Sequence, residues 1–288
     1  MEPFTIAAIA GAAGGVTGKL IEKSWDVGVK WLDTYFKDHH PKAREAAQHN
    51  TLDFLSELAS RVRGIEETVK NIPDAKKQIE DALSDPDFSA LLHDAMIASA
   101  RTESPEKHKL LARIVSERLL ARQESLVALA GNLACDAVPH LSPKHLYCLG
   151  IMNLVYHIRP YPFPPKIPPK IFNDWWTNWL SNMLSPMMTI GKMTPIDYAH
   201  LVSVSCITYD YLGSRNLKGV LSPPESSEGS EFEWDADKFF ADTKIGKELS
   251  ELWKAGMEHA VPTSAGQLIG IYVRDLLTGT TTNIRWDS

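Results

Sequence analysis

The feature that most constrains this chain is a repeated helix start, in which a capping residue is followed directly by proline. The pairs are Asp85-Pro86, Ser104-Pro105, Ser142-Pro143 and Thr194-Pro195. The side chain of the first residue can accept a hydrogen bond from a backbone N–H of the first turn, and proline suits the first helical position because no N–H is needed there. Each pair precedes an apolar helical pattern, so the sequence predicts a chain built from helices.

Apolar residues recur at helical spacing along most of the chain, whereas alternating strand patterns are scarce. Besides the helices after the four proline pairs, this periodicity predicts helices over 42–70 and 123–138. Strand-like residues near 261–265 and 280–286 indicate a small β element. We therefore predict a mainly α protein, a multi-helix bundle followed by a second helical region.

A change of composition divides the predicted helices into two regions. Residues 159–172 contain six prolines and no acidic residue, which is typical of an extended polyproline-like connection. We predict an N-terminal helical region over 1–158 and a C-terminal helical region over 173–288, which contains an acidic loop at 217–237. The P-x-x-P pattern from Pro165 to Pro168 is either a docking site for a protein partner or part of a stiff connector.

Charge and cysteine content exclude several classes of function. The chain has 30 Lys and Arg against 36 Asp and Glu, a net charge of −6 spread over both halves, so nucleic acid is not expected as the main ligand. The cysteines, at 135, 148 and 206, are predicted to be buried free thiols in a reducing compartment. No second cysteine stands at metal-ligand spacing, and we expect no metal and no cofactor.

Membrane and export signals are also weak. No uninterrupted apolar run reaches the roughly 18–20 residues that span a bilayer, and the only charge before Lys19 is Glu2, unlike the positive start of a secretory signal. We predict a cytoplasmic protein that associates with a membrane only on activation.

The strongest functional signal is an uncharged, glycine-rich stretch within residues 1–37. Two overlapping G-x-x-x-G patterns place glycines on one helical face, where absent side chains let another backbone approach closely. Each glycine costs a soluble helix about 0.8–1 kcal/mol relative to alanine. The stretch is therefore either a tightly packed helix or a segment that joins subunits or enters a membrane. An amphipathic continuation with tryptophans suited to a headgroup boundary favours contact through residues 5–36. The predicted contact residues are Gly11, Gly14, Gly15, Gly18, Trp25 and Trp31.

A second candidate is the stretch from Arg101 to His108. An arginine shortly before a histidine resembles the R-x(4–6)-H motif of HEPN-type ribonucleases, in which a dimer brings the two side chains together on a phosphodiester and the histidine transfers the proton. The alternative interpretation is a solvated turn between two helices.

Two longer stretches, Asp85–Ala121 and Leu141–Val155, together resemble abortive-infection alpha (Abi-alpha) proteins of bacteria. Those proteins have acidic, leucine-rich helices, then a helix that starts at Leu-Ser/Thr-Pro, and a closing turn into a last helix. Val261–Gly270 resembles that closing turn, and such turns also end winged-helix units, so the C-terminal part is alternatively winged-helix-like. The resemblance implies a role in phage defence through growth arrest, and it assigns no catalytic residues.

These observations lead to one leading hypothesis and two alternatives. The leading one is a non-enzymatic, oligomeric defence effector whose N-terminal segment perturbs a membrane or joins subunits. The alternatives are a HEPN-like ribonuclease that uses Arg101 and His108, and a scaffold or adaptor that uses the proline run and the acidic loop.

Overall fold

A computed structural model describes residues 40–69, 84–122, 124–160, 168–223 and 234–282, with the isolated positions 18, 34, 35, 79, 81, 82, 284 and 286. It confirms the predicted mainly α, multi-helix fold. The helices of this part are α1 (Pro41–Val69), α2 (Pro86–Ala100), α3 (Pro105–Arg118), α4 (Leu126–Ala137), α5 (Pro143–His157), α6 (Pro169–Leu184), α7 (Pro195–Ser203), α8 (Leu217–Leu221), α9 (Ala236–Asp242), α10 (Lys244–Lys254) and α11 (Ser264–Thr278). Short 3₁₀ segments cover Val138–His140, Ser185–Ile190 and Met257–His259, and two strands are β1 (Ile207–Tyr209) and β2 (Ala260–Pro262).

All four predicted cap–proline starts are present. The side chains of Asp85, Ser104, Ser142 and Thr194 each accept a hydrogen bond from a backbone N–H in the first turn, and proline occupies the first turn of every one of these helices. These bonds satisfy donors that a helix N-terminus otherwise leaves without a partner.

The described residues form two compact units: the first contains those up to His140 together with positions 284 and 286, and the second contains those from Leu141 to 282. In the first unit, α1 packs against α2 and α3, and α4 packs against both of those helices. The core is aliphatic and rich in small side chains. Phe54, Leu55 and Leu58 of α1 are buried, as are Leu111 and Val115 of α3.

In the second unit, the most extensive packing is between α5 and α11. Glycine makes this approach possible, because a Cβ at Gly270 would meet the backbone oxygen of Leu149 and would lie 2.9 Å from the Cβ of Asn153. At Gly150 of α5, an added Cβ would lie only 2.6 Å from the sulfur of Met187. The two helix backbones therefore pack closer together than side chains at these positions would allow.

The strands pair antiparallel, with Ile207 opposite Pro262 and Tyr209 opposite Ala260. The strand predicted near 261–265 is therefore confirmed within a few residues. The strand predicted near 280–286 is wrong, because the described positions of that stretch are not extended in a sheet. Instead, Asp275 accepts hydrogen bonds from Thr280 and Thr282 and folds this stretch back onto the end of α11.

Three boundaries differ from the expectation. Residues 169–172 of the predicted connector belong to α6, because Pro169 occupies a first-turn position where proline is favourable. The predicted loop 217–237 begins with the short helix α8, which Asn216 caps by accepting bonds from the N–H groups of Lys218 and Gly219. Helix α5, placed within 1–158 by the sequence, lies in the second compact unit.

Candidate functional site

The predicted membrane or partner contact lies mostly outside the described residues. Gly11, Gly14, Gly15, Trp25 and Trp31 fall in that part of the chain, and only Gly18 of the set is described. Gly18 is helical and buried. None of the helices in the described ranges combines the length and apolarity needed to cross a membrane.

The Arg101–His108 pair lies at the turn between α2 and α3, where the two side chains have different surroundings. Arg101 is exposed and forms the C-cap of α2. His108 is buried, and its Nε2 lies 2.8 Å from the carbonyl oxygen of Thr102 and 3.3 Å from that of Ser99. Because carbonyl oxygens only accept, Nε2 carries the proton and donates it to the end of α2. His108 thus satisfies backbone acceptors that the helix end leaves open.

A polar cluster that the sequence analysis missed joins the starts of α5 and α7. Asp197 lies at its centre, with Lys144 Nζ 2.7 Å from Oδ1 and His145 Nε2 3.2 Å from the same oxygen. The backbone N–H and the hydroxyl of Thr194 both donate to Oδ2 at 2.7 Å. The ring of His200 lies 4.9 Å from that of His145.

Both ring nitrogens of His145 are occupied within this cluster. Nδ1 accepts from the N–H of Ser142 at 3.3 Å, so Nε2 carries the proton that is donated to Asp197. Burial lowers the pKa of His145, and the bond to Asp197 offsets part of that effect. Although burial alone would raise the pKa of Asp197, hydrogen bonds from Lys144, Thr194 and His145 hold it well below its usual range. The cluster is therefore a neutral histidine hydrogen-bonded to an ionised carboxylate, and it is suited to fixing two helix starts.

A signal for this cluster is present in the sequence. Ser142-Pro-Lys-His145 and Thr194-Pro-Ile-Asp197 each form a capping box, in which the third helical residue bonds back to the cap residue's N–H. The third helical residues of the two boxes, His145 and Asp197, can hydrogen-bond to each other. They are 52 residues apart in the sequence, so neither box alone predicts the contact.

The three thiols are buried and unreactive in character. Burial raises the pKa of Cys148 and Cys206 to about 12, and burial together with Asp136 and Asp94 raises that of Cys135 further. Since the thiolate is the nucleophile and metal ligand, these residues are poor candidates for either role. Among the described residues, no group of three or more His, Cys, Asp or Glu is placed to hold a metal ion.

A shallow groove of about 410 Å³ lies between the 3₁₀ segment after α6 and helix α10. Apolar side chains form most of its lining, with charged groups beside them; the lining includes Met188, Ile190, Lys192, Met193, Glu248, Glu251 and Leu252. The groove lacks a histidine or a thiol, and its titratable side chains are those of Lys192, Glu248 and Glu251.

The chain belongs to a protein family whose model matches residues 18–233, three quarters of its length. The match includes Gly18, Trp25, Trp31, helices α1 to α4 of the first unit and the polar cluster around Asp197, and it excludes Gly11, Gly14 and Gly15. No curated protein and no solved structure matches the chain. The family match brings no activity with it, so the resemblance to Abi-alpha proteins stays a prediction.

Proposed function

We propose that this chain is a non-enzymatic effector of bacterial growth arrest in phage defence, acting through its glycine-rich segment, residues 5–36. The segment joins subunits or perturbs a membrane when it is released from the body of the protein. One observation carries the proposal: the G-x-x-x-G spacing of residues 11–18 ends in Gly18, a helical glycine that is buried. A buried glycine at the end of such a face supports a packed resting state.

The chemistry of the described residues favours a non-enzymatic role. His108, the histidine of the ribonuclease-like motif, and His145 of the polar cluster each donate Nε2–H to a fixed acceptor. The thiols are buried with raised pKa values. Groups held in this way stabilise a scaffold, and they are not positioned to take a proton from a substrate.

In this proposal the free energy of packing the glycine face decides between a resting state and a state released by a trigger. At rest, close packing compensates the intrinsic helical cost of the glycines, about 0.8–1 kcal/mol each. After a trigger, the same face exchanges its contacts for those of a neighbouring subunit or of lipid, and Trp25 and Trp31 lie at the headgroup boundary.

The test is propidium entry into bacteria that express either the full chain or a version lacking residues 1–37, at equal soluble levels. The proposal predicts rapid uptake and growth arrest with the full chain only. Growth arrest of equal strength from both versions would refute it. Arrest with the full chain but without dye entry would favour subunit joining over membrane damage, and size measurement on the same cells' extract would then show larger assemblies for the full chain only.

A further inference from the structure

A buried amide lies at the contact between α5 and α11 without a hydrogen bond to any described residue. Asn153 of α5 is 0% exposed, and neither its Nδ2 nor its Oδ1 has a partner in the described ranges. The Cβ of Asn153 lies against α11, 2.9 Å from the position of a Cβ added to Gly270. The amide is therefore enclosed where the two helices of the second unit pack most extensively.

A buried guanidinium on α11 is only partly satisfied as well. Arg274 is 2% exposed and follows Gly270 by one helical turn, so both residues lie on the same side of α11. Its Nη2 donates to Asp275 Oδ1 at 2.6 Å and to the hydroxyl of Thr282. Its Nε and Nη1 have no acceptor among the described residues. The charge of Arg274 is thus paired, while part of its hydrogen-bonding capacity is buried unused.

These groups lower the stability of the docked position of α11. A polar atom that is buried gives up its hydrogen bonds to water, and this loss is not offset when no protein partner replaces them. The two atoms of Asn153 and the two nitrogens of Arg274 are of this kind. Because water would bond to all of them after separation of α11 from α5, burial of these groups favours the separated state and opposes the apolar packing.

We propose that α11 is a releasable helix: the second unit has a minor state in which α11 has separated from α5 and water bonds to Asn153 and Arg274. The glycine contact suits a two-state motion, because close backbone packing at Gly270 is either made or lost as a whole. This device contains no residue of 5–36, so it goes beyond the proposed function and does not depend on it.

The first test is hydrogen exchange of the full chain at increasing urea concentration, followed by mass spectrometry. The proposal predicts that the amides of α11 exchange together, through an opening that depends on urea less steeply than global unfolding followed by circular dichroism. Exchange of α11 through global unfolding alone would overturn it.

The second test removes the unpartnered amide. Asn153→Leu keeps a similar shape without polar atoms, and it should lower the opening equilibrium of α11 by roughly tenfold, because separation no longer restores hydrogen bonds to water. The matched control is Asn50→Leu in α1. Asn50 is also buried, but its Nδ2 donates to the carbonyl oxygen of Ala100 at 3.3 Å. Removal of that donor should instead speed exchange in α1.

A smaller side chain covers the case in which leucine is too large beside Gly270. Asn153→Ala and Asn50→Ala lose the same atoms from helical, buried positions, so their difference reports the hydrogen bond that Asn50 makes and Asn153 lacks. The urea midpoint should fall clearly less for Asn153→Ala. An equal or larger fall at Asn153, or faster exchange of α11 in both Asn153 variants, would overturn the proposal. Growth arrest by these variants is a separate measurement, since its loss is not required here.

Discussion

The two compact units are stabilised by different kinds of contact. The first unit, α1 to α4, packs through aliphatic and small side chains, and its buried Arg118 forms ion pairs with Asp85 and with the more exposed Asp87 near the start of α2. The second unit, α5 to α11, relies on close backbone approach at glycines and on aromatic rings. Small aliphatic packing tolerates local change, whereas a backbone contact leaves no room for an extra atom. The stability of the second unit should therefore be the more sensitive of the two to substitutions in its core.

The largest expected effect is that of Gly270→Ala. The new methyl group would meet the backbone oxygen of Leu149, so α5 and α11 must separate, at a cost of roughly 3 kcal/mol in the free energy of unfolding. The control is Gly64→Ala in α1, which has open space at the Cβ and should gain about 0.5–1 kcal/mol. Urea unfolding followed by circular dichroism measures the free energy of unfolding of both variants. Equal effects of the two substitutions would contradict the proposed difference in packing between the units.

Aromatic packing gives the next largest effect. Trp176 is fully buried, with ring centroids 6.2 Å from Phe172 and 5.2 Å from Trp179. Trp176→Leu should leave a cavity and lower the free energy of unfolding by about 2–3 kcal/mol. Trp179→Leu, at a half-buried position, should cost clearly less. Thermal unfolding of the two variants side by side checks the order, and the reverse order would contradict this account of the cluster.

The parts of these contacts that could be predicted from sequence are local ones. The cap–proline starts were predictable because a cap bonds to residues two or three positions away. The contact between Gly270 and Leu149 was not, since glycine spacing does not identify which backbone will approach. Strand β1, the partner of β2, was not predicted for a similar reason: Thr208 and Val261 pair across more than fifty residues. His108 was recognised as notable, but only its bonds to Thr102 and Ser99 showed that it closes a helix end.

A smaller effect, expected from histidines of the second unit, is a dependence of the protein's stability on pH. Burial lowers the pKa of His145 and of His157, both in α5. The unfolded chain takes up these protons near the usual histidine pKa of about 6.5, before the folded chain does, so stability falls as the pH drops below that value. His145→Asn keeps an acceptor for the N–H of Ser142 and removes the titration. Melting temperatures at about pH 7 and about pH 5.5 should differ less in this variant than in wild type, and an unchanged difference would rule out His145 as a source.

The smallest expected effect is that the buried cysteine thiols of the folded protein react only slowly with a thiol reagent. With pKa values of about 12 or above, the thiols of Cys135, Cys148 and Cys206 are protonated and inaccessible in the folded protein. Ellman's reagent should label the folded chain slowly, and all three cysteines only after unfolding in urea. Rapid labelling of the folded chain would show that a thiol is accessible and would reopen a reactive role for it.

The most direct test of the central proposal, that the glycine face of residues 5–36 is the active element, uses point variants in the full chain. Gly14→Leu with Gly18→Leu fills that face, and Gly64→Leu places the same change on an exposed, open position of α1. Propidium uptake and growth are followed in bacteria during induced expression at matched soluble levels. The account predicts that the first variant loses the effect and the second keeps it. Undiminished arrest by the Gly14 and Gly18 double variant would contradict it.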